Sequence, residues 1–572
     1  MEKTTLPTGA PARVLAVAAD GAPGGTSLLR SLTWPGTEVE VHGASDPPAP
    51  SGFAAVIVEG DGHGLAEAWL GELSGAIERG TSLLVLEPPS AGDHRGGAWH
   101  ALAGGSREER LPATEWLLQT SLDGGRLARR LPEEIPVEAT LAPLRVGEEW
   151  QPVLTVSVAF RRRVVVATRS QGAGRVTLCG ILLDETSLSR PELRSVLRRA
   201  LHRRGTETDG VPVGIAVIGY GPYGGMGLYH GLAARATPGL ELVAACDSSP
   251  ERRKAAEEEL PGLRVYPSPQ EVIADEDVSL VVVATPPDSH VELCLALLRA
   301  GKHVACEKPL CTSSAEADLL IEAAEGASRV LTVHQSRRWD PDFLAIRRAV
   351  EAGVLGEVFS METFVGGFEH PCRAWHSEES ISGGAVYDWG SHHIDWVMQL
   401  MPGDPQTVSC SAHKRVWHDV TNFDQIRVRL GWEDGREAEF VQSDVAAVRR
   451  PKFYVQGTRG TLVGRYRPLH FERLVPGRGY VSEQAHHAEA PAELTMATYE
   501  SGYGLSETRL PLAHSEPYGF HANLTDHLLH GEPLAVTPDS VREVVAVLEA
   551  SQRSARAGGA PFRPARAPER LR

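Results

Sequence analysis

The chain has 572 residues, of which 42% are hydrophobic and 23% charged, and this size predicts two to four globular domains. A formal net charge of -17 argues against a nucleic-acid partner, and no stretch approaches the roughly 20 apolar residues of a membrane span. The seven cysteines form no CxxC pair, so neither a zinc ribbon nor a disulfide framework is expected, and we predict a reducing, cytoplasmic location.

The first segment, residues 1–205, alternates short apolar runs such as RVLAVAA and SLLVLEP with helical periodicity such as LAEAWLGELSGAIERG. This alternation predicts an open, flavodoxin-like α/β domain. Near its end, the runs RRVVVATRS and GRVTLCGILL are rich in β-formers and are separated by the turn signal QGAG. Residues 206–212, within GTETDGVP, are predicted to be a linker.

Two further domains are predicted downstream. Residues 213–337 contain strands that are apolar throughout and joined by helices, which indicates a parallel sheet covered on both faces. Residues 338–561 contain longer, alternating strands such as QIRVRLGW, which predict a largely antiparallel sheet in an α/β domain that follows without a flexible linker. The last segment, residues 562–572, is predicted to be a disordered tail.

A glycine motif opens the second domain. The segment VIGYGPYGG places Gly219, Gly221 and Gly224 in a GxGxxG spacing directly after a strand and before a helix. Glycines there allow a tight turn and close approach of the backbone to a pyrophosphate, which the N–H groups of the helix N-terminus also attract. The predicted cofactor-binding residues of this loop therefore include the positions between the glycines: Tyr220, Pro222 and Tyr223. An ordinary glycine-rich turn is the alternative.

The next strand ends at Asp247, a little over 20 residues beyond the glycines, where a carboxylate accepts the ribose hydroxyls of a dinucleotide. This position favours NAD over NADP. Ser248 and Arg252 are predicted to join the same site, and Arg252 lies close enough in sequence to bind a 2'-phosphate, so NADP stays open. The alternative role of Asp247 is to cap the helix PERRKAAEEEL.

Several later motifs act together: VVVATPPDSH, CEKPL, HQSRRWDPDF and GGAVYDWGSHHID. On these motifs the chain from about Val213 to Pro561 resembles the glucose-fructose oxidoreductase / inositol dehydrogenase (Gfo/Idh/MocA) family, although Ser336 stands where many members have asparagine. The resemblance implies an NAD(P)-dependent oxidoreductase with a Rossmann domain and a C-terminal substrate and oligomerisation domain, assembled as homodimers or homotetramers through the C-terminal sheet. It implies these further cofactor-site residues: Thr285, Pro286, His290, Glu307 and Lys308.

The predicted catalytic residues are Lys308, Asp388 and His392. Asp388 and His392 are four apart, so on a helix they share one face. Histidine suits the base that takes a hydroxyl proton as hydride leaves, and Asp388 would orient it. The resemblance assigns Lys308 to the same oxygen, whose developing charge it would stabilise. No metal is expected, because adjacent His392 and His393 point about 100 degrees apart on a helix.

The predicted substrate contacts are Arg338, Trp339, Trp375 and His376, where aromatic faces and charged donors suit a sugar, cyclitol or related polyol. Core packing is the alternative for each tryptophan. Two alternative functions stay open beside hydride transfer to or from such a polyol. One is NAD-dependent glycoside cleavage by transient oxidation and elimination, and the other is a non-catalytic cofactor-binding sensor.

The front segment weakly resembles the trehalose-utilisation-protein-like relatives of class I glutamine amidotransferases, through SLLVLEPP, AWHALAGG and GRVTLCGILLD. Amidotransferase chemistry needs a cysteine at a strand-to-helix turn, yet the segment's one cysteine, Cys179, lies inside an apolar strand. His94 and His100 therefore have no nucleophile to activate. We expect a non-catalytic, structural or regulatory domain.

Overall fold

The computed structural model describes residues 13–18, 38–60, 64–90, 97–121, 125–128, 131, 133–188, 190–201, 212–221, 226–372, 375–467, 469–475, 479–485, 490–502, 504–513, 515, 517–530 and 532–568. Within these residues the chain divides into two units. The front unit comprises residues 1–211 together with 524–533, and the second unit comprises residues 212–523 and 534–572. The predicted linker, residues 206–212, lies outside the described residues except for Pro212.

The front unit contains an 11-stranded sheet with a parallel half and an antiparallel half. Strands β1–β4 and β11 pair in parallel in the order β2-β1-β3-β4-β11, and β11 continues into β10, β9, β6 and β7 by antiparallel pairing. The strands are β1 Arg13–Ala18, β2 Glu38–Gly43, β3 Ala55–Glu59, β4 Ser82–Leu86, β5 Gly105–Arg107, β6 Leu111–Thr120, β7 Glu134–Leu141, β8 Leu144–Val146, β9 Gln151–Val158, β10 Arg161–Gln171 and β11 Gly174–Cys179. The helices are Glu67–Glu78, Gly97–Ala103, Gly125–Ala128, Glu185–Leu188 and Pro191–Leu201.

The second unit begins with a six-stranded parallel sheet in the order β14-β13-β12-β15-β16-β17, which is the doubly wound Rossmann arrangement. The strands are β12 Val213–Ile218, β13 Leu240–Cys246, β14 Arg264–Tyr266, β15 Leu280–Val283, β16 His303–Cys306 and β17 Leu331–Val333. The helices between them are Met226–Ala236, Pro250–Glu259, Pro269–Ala274, His290–Arg299 and Ser314–Ala327. The central strands β12 and β15 are apolar and almost wholly buried because helices cover both faces, whereas β13 and β14 carry the exposed residues Glu241 and Arg264.

The rest of this unit is an eight-stranded sheet in which every neighbouring pair but β18–β21 is antiparallel. Its order is β19-β20-β21-β18-β22-β23-β26-β27, and β24 and β25 form a separate hairpin. The strands are β18 Val358–Gly366, β19 Thr407–His413, β20 Gln425–Gly431, β21 Glu437–Ser443, β22 Phe453–Gly457, β23 Gly460–Arg465, β24 Leu469–Val475, β25 Gly479–Ala485, β26 Glu493–Glu500 and β27 Gly504–Leu510. The helices are Pro341–Glu351, Glu379–Ser382, Ala385–Asp388, Gly390–Leu400, Gly519–His530 and Pro538–Arg556.

The last long helix, Pro538–Arg556, ties the two sheets of the second unit together. It packs against β19, the helix Gly390–Leu400 and the Rossmann helix Ser314–Ala327. Glu549 accepts a hydrogen bond of 2.6 Å from the Ser314 hydroxyl, and Arg542 lies 3.0 Å from Asp318. These contacts place the C-terminal ends of the Rossmann strands beside the second sheet's helices.

The prediction that residues 562–572 form a disordered tail is wrong for the first part of this segment. Phe562 exchanges backbone hydrogen bonds of 2.7 and 2.8 Å with Val408 at the edge of the second sheet. The guanidinium of Arg542 donates to the carbonyl oxygens of Ala565 and Arg566. Backbone pairing and a buried arginine thus hold a segment whose proline and arginine content predicts disorder.

Candidate active site

The glycine loop after β12 needs glycine for a steric reason. Gly219 has φ +93°, and a Cβ there would lie 2.7 Å from backbone atoms of Ala284 and Thr285. A Cβ on Gly221 would lie 3.2 Å from the Arg252 guanidinium. The loop therefore passes against the neighbouring strand end with room for backbone alone. Pro222, Tyr223 and Gly224 lie outside the described residues.

Asp247 lines the same cavity directly beside the glycine loop, since the carbonyl of the preceding Cys246 accepts from the Gly219 N–H at 2.8 Å. Its buried carboxylate accepts a hydrogen bond of 2.9 Å from the Ser249 N–H and lies 3.7 Å from the Arg252 guanidinium. Asp247, Ser248 and Arg252 all line the cavity described below. The helix cap is supplied by Ser249, whose hydroxyl accepts from the Arg252 N–H, so Asp247 is left for the cavity.

Two residues predicted to contact the cofactor, Tyr220 and His290, direct their side chains to other partners. Tyr220 is buried and its hydroxyl donates to Glu259 at 2.5 Å, so it packs away from the cavity. His290 is fully buried between two carbonyl oxygens, with Nδ1 2.8 Å from Pro309 O and Nε2 2.8 Å from Thr285 O. It therefore holds together the two loops that line the cavity, and it offers no free atom to a ligand.

Lys308 and Asp388 meet on the cavity wall although they are 80 residues apart. The Lys308 ammonium donates to the Asp388 carboxylate at 2.8 Å and to the Asp388 carbonyl oxygen at 3.2 Å. Burial would raise the pKa of Asp388, but the charge and hydrogen bond of Lys308 hold that pKa below its ordinary value. At neutral pH the pair is thus ionised and carries no net charge.

Two imidazoles lie within the electrostatic influence of this pair, and of the two His376 lines the cavity whereas His392 is not among the lining residues. His392 lies on the helix Gly390–Leu400, is 6% exposed, and its Nδ1 has no partner among the described residues. Burial, with the nearby charges of Lys308 and Arg337, holds the pKa of His392 well below its ordinary value, so the ring is neutral. His376 lines the cavity itself, stacks on Trp375 at 3.7 Å between centroids, and also has an unpartnered Nδ1 within the described chain.

The structure separates the four predicted substrate contacts. Trp375 and His376 line the cavity. The prediction that Arg338 contacts substrate is wrong. Arg338 is 4% exposed, forms a bidentate ion pair with buried Asp395 and donates to the carbonyl oxygen of Ala535, so its donors are used within the fold. The same prediction for Trp339 is also wrong, because Trp339 packs against Gly519 and Phe520 and lies outside the cavity lining.

Arg337, which the sequence does not single out, does not line the cavity, but its charge acts on His392 and Asp388. Its guanidinium lies 5.0 Å from the centre of the Trp389 ring and 3.3 Å from Asp340, and its charge lowers the pKa of His392. The motif SRRW offers two adjacent arginines, and nothing in it tells which one turns inward. Ser382, another cavity residue, also has no signal in the sequence.

The cavity has a volume of about 500 Å³ and runs along the C-terminal ends of the Rossmann strands. Its lining joins the Asp247 end to the Lys308 end: Ile218, Gly219, Gly221, Met226, Gly227, Cys246, Asp247, Ser248, Arg252, Pro267, Pro269, Ala284, Thr285, Pro286, Pro287, Asp288, Ser289, Glu292, Leu293, Glu307, Lys308, Pro309, Trp375, His376, Ser382 and Asp388. Glycines at one point, the Asp247 carboxylate at one end and polar side chains at the other form a lining of the kind that fits a dinucleotide. His393, by contrast, lies in the core, stacked on Phe440.

Comparison with known proteins agrees with this geometry. Residues 213–335 match the family model described as "Oxidoreductase family, NAD-binding Rossmann fold", and residues 343–463 match the "GFO/IDH/MocA C-terminal domain". An uncharacterized oxidoreductase of Schizosaccharomyces pombe is 36% identical over 265 residues, which cover 44% of this chain and 70% of that protein. The chain belongs to the GFO/IDH/MocA oxidoreductase family.

Other members of the GFO/IDH/MocA family align over more of the second unit. The scyllo-inositol 2-dehydrogenase (NADP(+)) IolW of Bacillus subtilis is 24% identical over 352 residues, covering 61% of this chain and 95% of that protein. The crystal structure of an NAD-binding protein from Listeria innocua, 29% identical, superposes with a TM-score of 0.52 over 61% of this chain and 96% of its own. The chain is therefore an NAD-binding dehydrogenase or reductase by family, and both family models match residues of the second unit.

In the front unit, Cys179 ends β11 inside the core, and burial raises the pKa of its thiol to about 12. Such a thiol is protonated at neutral pH and makes a poor nucleophile. His94 lies outside the described residues, and His100 is on the helix Gly97–Ala103. No helix in the described parts of the chain is both long and apolar enough to cross a membrane.

Proposed function

We propose that the chain transfers hydride between NAD and a secondary alcohol or ketone of a sugar, cyclitol or related polyol. The observation that carries this proposal is the ionised Lys308–Asp388 pair on the cavity wall, 2.8 Å apart, with neutral imidazoles beside it. NAD, when bound, accepts the hydride. The residues of the chain must then bind the alcohol oxygen and remove its proton.

We assign these steps to the three predicted residues. Lys308 donates a hydrogen bond to the substrate oxygen and stabilises the negative charge that develops there. His392, held neutral by burial and by the charge of Lys308, accepts the hydroxyl proton. Asp388 fixes the Lys308 ammonium. The unpartnered Nδ1 of His376, which lines the cavity, makes this residue the second candidate for the base.

The substrate class has separate support. Trp375 and His376 stack into a flat aromatic wall on the cavity, and aromatic faces pack well against the C–H face of a ring polyol. IolW is named for action on an inositol. The alternative, glycoside cleavage by transient oxidation and elimination, uses the same residues and leaves no net reduced cofactor.

A substrate screen tests the proposal. The full chain is incubated with sugars, cyclitols and their glycosides plus NAD or NADP, and absorbance of reduced nicotinamide is followed together with release of free aglycone. Accumulation of reduced cofactor with a free polyol supports the dehydrogenase. Aglycone release without net reduction supports the cleavage reaction, and absence of both with every compound, despite cofactor binding, supports the sensor.

Assembly and location are also proposals. We propose homodimers or homotetramers in the cytoplasm, built through the C-terminal sheet, with a non-catalytic front unit. Tyr499 and Leu505 are register partners on β26 and β27 and are 65% and 79% exposed, an apolar pair that a second copy would cover. Light scattering of the full chain, which gives its mass in solution, checks this assembly against a monomer.

A further inference from the structure

A cluster of three histidines surrounds Glu307 on the inner side of the cavity. Glu307 Oε1 lies 2.9 Å from His230 Nε2 and 2.8 Å from His334 Nδ1, and the second oxygen accepts from the Lys308 backbone N–H at 3.1 Å. His230 Nδ1 in turn lies 2.9 Å from His521 Nε2. All four side chains are buried, and Glu307 also lines the cavity.

The hydrogen bonds determine the protonation of this cluster. An ionised carboxylate only accepts, so His230 Nε2 and His334 Nδ1 both carry their hydrogens. A neutral His230 then presents a lone pair at Nδ1, to which His521 donates. Burial lowers the pKa of His230 and of His521, which keeps both rings neutral.

In the part of the chain that the structure describes, His334 has a hydrogen-bond partner at one ring nitrogen only. Its Nε2 is buried and has no partner within the described residues, so a proton there would be a buried donor without an acceptor. Burial opposes ionisation of Glu307, but the hydrogen bonds that its carboxylate accepts from His230 and His334 hold its pKa well below the ordinary value. The Glu307 carboxyl is therefore ionised, in a cluster whose His230 and His521 rings are neutral.

A metal centre explains the same residues less well. One nitrogen of each histidine lies within 4.8 Å of the others. However, the nitrogens of His230 and His521 are 2.9 Å apart, shorter than the about 3.3 Å between ligands of a tetrahedral site with bonds near 2.0 Å. His230 also uses both ring nitrogens, each on a different partner. The arrangement is a hydrogen-bond chain.

The position of Glu307 gives this charge a role. Asp247 follows β13 and Glu307 follows β16, on opposite sides of the switch point between β12 and β15. With the adenosine ribose at Asp247, the nicotinamide half lies toward Glu307 and Lys308. The ammonium of Lys308 is already neutralised by Asp388, so the Glu307 charge is not cancelled by that pair.

We propose that the histidine-bound Glu307 carboxylate makes the cavity discriminate between the two redox states of the cofactor, binding cationic NAD⁺ in preference to NADH. The proposal rests on the proposed function, because it uses the same orientation of the dinucleotide. The oxidised nicotinamide ring carries a positive charge that the reduced ring lacks, so a buried carboxylate stabilises the first alone. His230, His334 and His521 are positioning residues that keep the carboxylate ionised and directed.

Titration of the full chain with NAD⁺ and with NADH, by calorimetry, tests this role. The wild-type chain is expected to bind NAD⁺ at least as tightly as NADH. Glu307→Gln and Glu307→Ala remove the charge and should weaken NAD⁺ relative to NADH by about tenfold. Glu307→Asp keeps the charge and should keep the preference. Glu322→Gln is the matched control: it removes an exposed carboxylate on the helix Ser314–Ala327 that does not line the cavity, where water screens it, so the ratio should stay within about twofold.

Circular dichroism and thermal melting establish that each variant is folded. The ratio of NAD⁺ affinity to NADH affinity in the wild-type chain tests the proposal without any variant. If both nucleotides bind and neither Glu307→Gln nor Glu307→Ala changes the ratio of their affinities, the role of Glu307 is overturned but the proposed function is not. A wild-type chain that binds NADH about ten times more tightly than NAD⁺ would also overturn the role of Glu307. Failure of the wild type to bind either nucleotide would overturn the proposed function as well.

Discussion

At the residue scale, cofactor choice depends on Asp247 and Arg252. The Asp247 carboxylate repels a 2'-phosphate, while Arg252, 3.7 Å away and 39% exposed in its side chain, would attract one. We expect the wild type to bind NAD more tightly than NADP. Asp247→Ser should reduce this difference in affinity, because it removes the negative charge that counteracts the attraction of Arg252 for a 2'-phosphate. Dissociation constants measured for both nucleotides check this, and equal or tighter binding of NADP by the wild type would contradict it.

The choice of base is a second prediction for single residues. His392→Ala should lower turnover by on the order of 100- to 10,000-fold with little change in NAD affinity, because proton transfer is lost and cofactor contacts are kept. His376→Ala is the comparison, and it should mainly raise KM if this ring only contacts substrate. The base must be neutral to act, and the pKa of His392 lies well below 6.5, so wild-type turnover should persist below about pH 6.5. A larger loss for His376→Ala than for His392→Ala would transfer the assignment to His376.

The sequence predicts residue types at this site better than it predicts their directions. The spacing of Asp388 and His392 and the glycine loop are local properties, and local geometry suffices to state them. Arg338 pairs with Asp395, 57 positions away in the sequence. Glu307 is bonded to His230, which in turn is bonded to His521. Such pairings depend on how elements pack, so neither the burial of Arg338 nor the histidine cluster has a signal in the chain's local pattern.

At the scale of elements, a buried ion pair joins the helix Pro341–Glu351 to β22. The Lys452 ammonium, 1% exposed in its side chain, lies 2.7 Å from Asp342, which is fully buried and also accepts from the Ala492 N–H. Lys452→Met leaves the carboxylate uncompensated and should lower the free energy of unfolding by about 3–5 kcal/mol. Lys254→Met, which breaks the exposed Lys254–Glu258 pair, should change it by less than about 0.5 kcal/mol. Denaturant unfolding of the two variants compares them, and similar values would contradict the role of burial.

Elements are predictable where their periodicity is strong. The Rossmann strands and the β10–β11 hairpin around QGAG form where the apolar runs and turn residues indicate. The segment after Pro561 has no periodicity, and its order comes from the free edge of β19, which the sequence of the segment itself does not reveal.

At the scale of the whole molecule, buried imidazoles predict acid sensitivity of the NAD-binding unit. Burial lowers the pKa of six histidines in this unit: His230, His290, His376, His392, His393 and His521. Below about pH 6.5 the unfolded chain binds protons that the folded chain does not, so the free energy of unfolding falls as pH falls. Four carboxyls of the unit, Asp340, Asp395, Asp444 and Glu543, have pKa values that burial raises, and they act in the opposite direction but are fewer than the six histidines. Thermal melts should therefore shift downward between about pH 7 and about pH 5, and an unchanged or higher melting temperature would contradict the neutral state of these rings.

The distribution of the two units along the chain also sets the order of events during translation. The front unit includes residues 524–533, and the second unit is closed by the helix Pro538–Arg556. About 300 residues separate residue 211 from residue 524, and at about 5–20 residues per second the ribosome needs on the order of 15–60 seconds to add them. Neither unit can be completed cotranslationally before that interval ends, so residues 1–211 wait for residues 524–533 to complete the front unit.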